Sequence, residues 1–275
     1  MASRLPPPNG GRLLHLTSPA LSPLRCLLPP GAPIGRRLLR GVWMLAFCAL
    51  SSLAGAAELA PAEAPGGIAP RVAVCIACHG REGASGNAAF FPRLAGKPAG
   101  YLYNQLLSFR DGRRFNADMV HLVQHLSDDY LREMAAYFAS LDLPYPPVPA
   151  TSDAPAATLA RGKVLALQGD AARGIPACTQ CHGAALTGVQ PGIPPLVGLP
   201  RLYLSSQLGA WLTDDRHALA PDCMAAVGRR LTTVDVNAVA SWLAVQPVPD
   251  RAKPVAALPG PLPMPCSAMP TAVAR

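Results

Sequence analysis

The stretch "AVCIACHGREG", residues 73–83, puts Cys75, Cys78 and His79 within five positions. On a helix, residues i, i+3 and i+4 share one face, so two thiols and an imidazole project together. The pattern returns as "CTQCHG" at 178–183, with Cys178, Cys181 and His182. What these side chains hold decides how the chain is read.

The recurrence is part of a longer repeat. "FPRLAGKPAGYLYNQLLSF" at 91–109 returns as "IPPLVGLPRLYLSSQLGAW" at 193–211. "MVHLVQHLSDD" at 119–129 returns as "MAAVGRRLTTV" at 224–234. Order and spacing are kept in all three blocks, as expected of a duplicated domain. The spacing predicts a first domain over 58–143 and a second over 158–247. Between them, residues 144–157 open with four prolines in six ("PYPPVP"), which excludes helix and favours an extended connector. Residues 248–275 form a second proline-rich segment, a tail without periodic pattern.

Within each copy the apolar period is helical. Leu131, Met134, Ala135 and Phe138 lie on one face of a segment that Ser127 can cap. Tyr101, Gln105, Leu106 and Phe109 suggest a face for the preceding helix, and "ATLARGKVLALQGD" predicts another helix before the second cysteine pair. Val236, Val239 and Leu243 repeat the pattern near the end. No segment alternates as a strand does. The fold class expected is all-α, in two small tandem domains.

The formal charge of +8 raises the question of a nucleic-acid partner. Residues 1–57 hold six arginines and no acid, however, and the rest carries 18 basic and 16 acidic residues. The excess belongs to the leader, so nucleic acid is set aside. The leader itself reads as an export signal: "GRRLLRG" is basic, "VWMLAFCALSSLAG" is apolar but short for a membrane span, and "AGAAE" offers small residues for cleavage. The expected location is the periplasm, with membrane contact only through partners or an uncleaved leader.

Of the readings open to C-x-x-C-H, structural zinc wants its two cysteine pairs about 15–20 residues apart. Here they are 103 apart, one in each copy. A thioredoxin-like pair wants a βαβ context. Covalent haem attachment fits: each cysteine bonds one vinyl group, and the adjacent histidine reaches the iron. Two c-type haems are therefore expected, on Cys75/Cys78 and Cys178/Cys181, with His79 and His182 as iron ligands. Met119 and Met224 stand at matching places, 40 and 42 residues after those histidines, and are the expected sixth ligands. His121, His125 and His217 have no counterpart in the other copy and are read as surface or propionate-facing. Arg114 and Arg216 repeat, as do Tyr101/Tyr203 and Gln105/Gln207; each suits either a haem propionate or plain packing and solvation.

These blocks give both halves a resemblance to class I cytochrome c domains, and their tandem arrangement resembles the dihaem cytochrome c4 family. The second half departs from the pattern at "WLTDDRHALAPDCM", which carries three extra residues before Met224. The resemblance implies an electron carrier between a cytochrome bc complex and a terminal oxidase. The alternatives are a dihaem electron-accepting subunit of a periplasmic dehydrogenase and a dihaem peroxidase. A methionine in both copies weighs against peroxidase chemistry, which needs an open iron position.

With Cys26 and Cys48 expected to be lost with the leader, Cys223 and Cys266 remain without a haem. In an oxidising compartment a disulfide between them is expected, against a free thiol and a loose tail.

Overall fold

The computed structural model describes residues 67–85, 90–250 and 252–269. Among these residues every regular element is a helix, and only four isolated bridges are paired as in a sheet. The first half holds α1 (Ile68–His79), α2 (Ala99–Arg110), α3 (Ala117–Val123) and α4 (Asp128–Ser140). The second holds α5 (Ala156–Leu167), α6 (Cys178–His182), α7 (Arg201–Leu212), α8 (Cys223–Gly228) and α9 (Thr233–Leu243). All described residues lie within one compact unit, Glu63–Arg275. None of these helices is long and apolar enough to cross a membrane. The leader expected over 1–57 lies outside the described residues.

In the first half α4 packs on α1 and α2. Its buried face is Leu131, Met134, Ala135 and Phe138, the i, i+3, i+4, i+7 stripe of an amphipathic helix. The Ser127 hydroxyl accepts from the Tyr130 N–H at its start, and Asp128 and Asp129 complement the helix dipole there. Val72, Leu102, Phe109 and Val123 complete the cluster. In the second half α5 and α7 pack on α9, and Leu165, Leu204, Val236, Val239 and Leu243 are buried together.

Helix α2 differs from its expected face. Leu102 and Phe109 are its buried apolar residues, while Gln105 turns toward the second half. Periodicity reports one apolar stripe; it does not reveal that a helix has two partners, one apolar and one polar.

The connector contains no helix over 141–149, yet it is anchored. Buried Arg93 donates to the carbonyls of Leu143 and Pro144, and its guanidinium lies 4.2 Å from the centroid of the Tyr145 ring.

The second half is tied by Asp235. This buried carboxylate accepts from Arg161 Nε at 3.0 Å and from Arg173 Nη1 at 2.8 Å, and forms a capping box with Thr232. It thereby joins α5, the 3₁₀ turn Ala171–Arg173 and α9. Burial alone would raise the Asp235 carboxyl, but the hydrogen bonds from Arg173, Thr232 and Arg161 outweigh it and hold it well below the usual range. Its contribution to stability is fully present above the unfolded carboxylate value of about 3.9 and is lost as pH falls toward the folded value. Asp235→Ala is expected to lower Tm by about 2–4 °C for each kcal/mol lost, because Arg161, Arg173 and the Thr232 N–H lose their acceptor while the Thr232 hydroxyl still caps the N–H of residue 235. Thermal melts from pH 7 to pH 3 check this: the gap from wild type narrows below about pH 4.

Candidate functional site

Each C-x-x-C-H motif ends a helix, and the glycine after it makes the exit. Gly80 and Gly183 have φ of 76° and 83°, a region in which L side chains are strained. The chain therefore turns sharply after each histidine and doubles back along the residues that follow.

That return fixes the histidine. The Nδ1 of His79 is 2.8 Å from the Pro92 carbonyl oxygen, and the Nδ1 of His182 is 2.8 Å from that of Pro194. A carbonyl only accepts, so Nδ1 carries the proton in both halves. Nε2 then bears the free lone pair, the tautomer of an iron-ligating imidazole. Burial lowers both imidazoles below their ordinary pKa and keeps them neutral; the proline carbonyls oppose this only in part.

The eight site residues expected from sequence fall into two sets. Cys75, Cys78, His79 and Met119 line a cavity of about 820 Å³ in the first half, with Leu94, Leu106, Met134 and Phe138. Cys178, Cys181, His182 and Met224 line a cavity of about 170 Å³ in the second. Burial raises the thiols of Cys75 and Cys181, and pushes that of Cys178 up to about 11. Such sulfurs stay uncharged in an apolar cleft, which suits a carbon–sulfur bond. In each cavity two cysteine sulfurs, one imidazole lone pair and one thioether fit the donor set of a c-type haem.

Both methionines sit on short helices capped from the residues before them. Asn116 accepts from the Met119 N–H at 3.0 Å, and Asp222 accepts from the Ala225 N–H at 2.9 Å. The loop with three extra residues before Met224 is closed by the disulfide Cys223–Cys266, as expected. His121, His125 and His217 are exposed and line neither cavity.

A third feature joins the two cavities. Lys97, Tyr101, Gln105, Tyr203, Gln207 and Arg216 line both. Gln105 Oε1 accepts from Arg114 at 3.0 Å and from Arg216 at 2.6 Å; Gln207 Oε1 accepts from Arg216 at 2.6 Å and from Arg114 at 2.7 Å. The two halves thus exchange equivalent bonds, and Arg114 and Arg216 form an antiparallel bridge. Lys97 and Arg216 are each only 3% exposed, which rules out the solvated alternative for Arg216. No carboxylate among the described residues pairs with Lys97, Arg114 or Arg216.

The electrostatics follow. Burial lowers Lys97, and the neighbouring arginines add to this. Burial and Arg114 bring Arg216 down to about 10. Burial pushes the Tyr203 hydroxyl up, but Arg114, Lys97 and Arg216 outweigh it and bring it down to about 7. This seam calls for anions, and a haem supplies two carboxylates.

Sequence reasoning missed Lys97 and the role of the proline carbonyls. A signal for Lys97 existed: the repeat places Leu199 opposite it, so a lysine stands at a buried apolar position.

Similarity to known proteins is extensive, although no family model matches the chain. The thiosulfate dehydrogenase electron acceptor of Thiomonas intermedia (strain K12) is 41% identical over 205 residues, spanning 74% of this chain and 91% of that protein. Cytochrome c4 of Pseudomonas aeruginosa is 35% identical over 179 residues, 63% of this chain and 84% of that one. Among solved structures, reduced recombinant cytochrome c4 from Pseudomonas stutzeri is similar with a TM-score of 0.55 and 32% identity, over 64% of this chain and 94% of that chain.

Proposed function

This chain belongs to the dihaem cytochrome c4 family, and we propose that Cys75/Cys78 and Cys178/Cys181 attach its two c-type haems, with His79/Met119 and His182/Met224 as axial pairs. The observation that carries this is the coming together of each set in its own cavity, with the histidine tautomer set by a proline carbonyl. The two domains so defined span residues 58–143 and 158–247, with 144–157 as connector and 248–275 as tail.

The protein is an electron-transfer cytochrome. A bound haem supplies a one-electron ferric–ferrous couple, and His/Met ligation raises its potential. The chain does the rest. Pro92 and Pro194 orient the imidazoles. Leu94 and Leu196, beside the two prolines, line the cavities and keep water from them. Lys97, Arg114 and Arg216, which have no carboxylate partner among the described residues, would hold the haem carboxylates.

The location we propose is the periplasm, where the leader directs the chain. The carrier reading places it between a cytochrome bc complex and a terminal oxidase. The alternative donor is a dehydrogenase. The relative named as an electron acceptor of thiosulfate dehydrogenase favours it, matching this chain over a longer stretch and at higher identity than the cytochrome c4 of Pseudomonas aeruginosa. Reduction of the purified protein by a thiosulfate dehydrogenase, compared with reduction by a bc complex, separates the two.

Pyridine haemochrome analysis is expected to return two covalently bound haems per chain, and none at the first site in Cys75→Ser/Cys78→Ser. Oxidised protein should show the near-infrared sulfur-to-iron band; Met119→Ala and Met224→Ala should each remove about half of it and lower the potential of the haem concerned. A variant with an unchanged band removes its methionine from the ligand set.

The seam gives a second expectation. Ferric haem carries one more positive charge than ferrous, so a nearby cation favours the ferrous form. Lys97→Met removes a cation shared by both cavities and is expected to lower both midpoint potentials, as read by spectroelectrochemical titration. Unchanged potentials would separate Lys97 from the haem carboxylates.

A further inference from the structure

The two cavities differ at their mouths. Val74, Phe90, Phe91 and Phe115 line the first cavity and are 52%, 66%, 40% and 79% exposed. In the second half the repeat places Ala177, Gly192 and Ile193 opposite Val74, Phe90 and Phe91, and Ala177 and Ile193 are buried. Only Leu219, among the exposed large apolar residues of that half, lines the second cavity.

The tail makes the difference. Val255 N donates to the Gly188 carbonyl at 3.0 Å, and Gln190 N donates to the Val255 carbonyl at 2.8 Å. Farther on, Ser267 N donates to the Pro221 carbonyl at 3.0 Å and its hydroxyl donates to that of Leu219 at 2.6 Å. The Cys223–Cys266 disulfide clips this strap in place, and Cys266, Ser267 and Ala268 line the cavity. A side chain at Gly192 would meet the Ala268 carbonyl oxygen at 2.1 Å, so the glycine lets the strap lie directly on the backbone. The strap, residues 254–269, contains no charged residue and six prolines or glycines.

We propose that this cytochrome docks its redox partner on the first half, over the mouth ringed by Val74, Phe90, Phe91 and Phe115, and that the partner presents an uncharged apolar surface there. The inference rests on the electron-carrier reading above. The second half shows what this kind of face accepts, since an uncharged segment already occupies its equivalent. The first half offers no strong field to steer a charged partner, because residues 67–143 carry eight basic and seven acidic side chains. Exposed aromatic side chains around a cleft are the composition of an interface core. A haem held in the strapped second cavity would then exchange electrons with the partner only through the first half.

The test uses oxidised holo-protein and, as probe, a reduced blue-copper protein whose copper edge lies in an uncharged apolar patch. One electron passes from the cuprous centre to a ferric haem, and no bond forms or breaks. Phe90→Ser/Phe115→Ser is expected to lower the second-order rate by about tenfold, the loss of a binding contribution of about 1.4 kcal/mol. Leu219→Ser, on the second cavity, is expected to leave the rate within about twofold. Shortening the Debye length from about 30 to 3 Å with salt should also change it by less than about twofold. A separate binding readout uses fluorophenylalanine labelling with both proteins oxidised, so that no electron passes. The Phe90, Phe91 and Phe115 signals should move on adding the probe, and those of buried Phe109 and Phe138 should not. A Phe90→Ser/Phe115→Ser rate within twofold of wild type, a loss with Leu219→Ser instead, or static Phe90 and Phe115 signals would overturn the docking face. Failure of the wild-type haems to be reduced at all would instead overturn the carrier reading; haem counts on every variant keep the two apart.

Discussion

Lys97, Arg114 and Arg216 meet at the seam between the halves with no carboxylate of the chain to neutralise them. Charges taken out of water cost several kcal/mol each unless they are paired. The glutamines offset part of that cost, each bonding to both arginines, and the rings of Phe109 and Trp211 stack on the guanidiniums. What is left is a demand for anions shared by both cavities. The carboxylates of bound haems would meet it, and the seam is in any case the joint between the halves.

The same economy governs the iron-facing side. A histidine beside two cysteines has two ring nitrogens and no intrinsic choice between them. The glycine after the motif lets the chain fold back, and a proline carbonyl twelve or thirteen residues later accepts from Nδ1. The remaining nitrogen then faces the cavity as a neutral donor. Local backbone geometry thus sets a chemical property, the tautomer, and does so alike in both copies.

Duplication supplies two equivalent halves, and later divergence makes them different. Arg93 and Lys97 stand where the second copy has Pro195 and Leu199, so these two buried cations come from the first half alone, while the seam's buried Arg216 comes from the second. The tail and its disulfide belong to the second copy alone. One haem cleft is covered by the chain's own segment and the other keeps an aromatic rim. Two sites of one origin are thereby available for separate tasks, one turned outward and one inward.

The sequence by itself determined the helical class, the duplication and the cofactor chemistry. Each of these is written in spacing: i, i+3, i+4 for the motif, the 3.6-residue period for α4 and α9, and the recurring blocks for the repeat. It also pointed to Cys223 and Cys266 as partners, because they were the cysteines left over. Only the tertiary structure decided what lies between distant segments. That α2 turns Gln105 to the other half, that Pro92 and Pro194 act through their carbonyls, that Lys97 is buried, and that the tail seals one cleft are facts about chain segments far apart in number. Spacing along a chain reports which side chains share a face of their own element. It carries no record of what that face meets, which is settled by the packing of elements against one another.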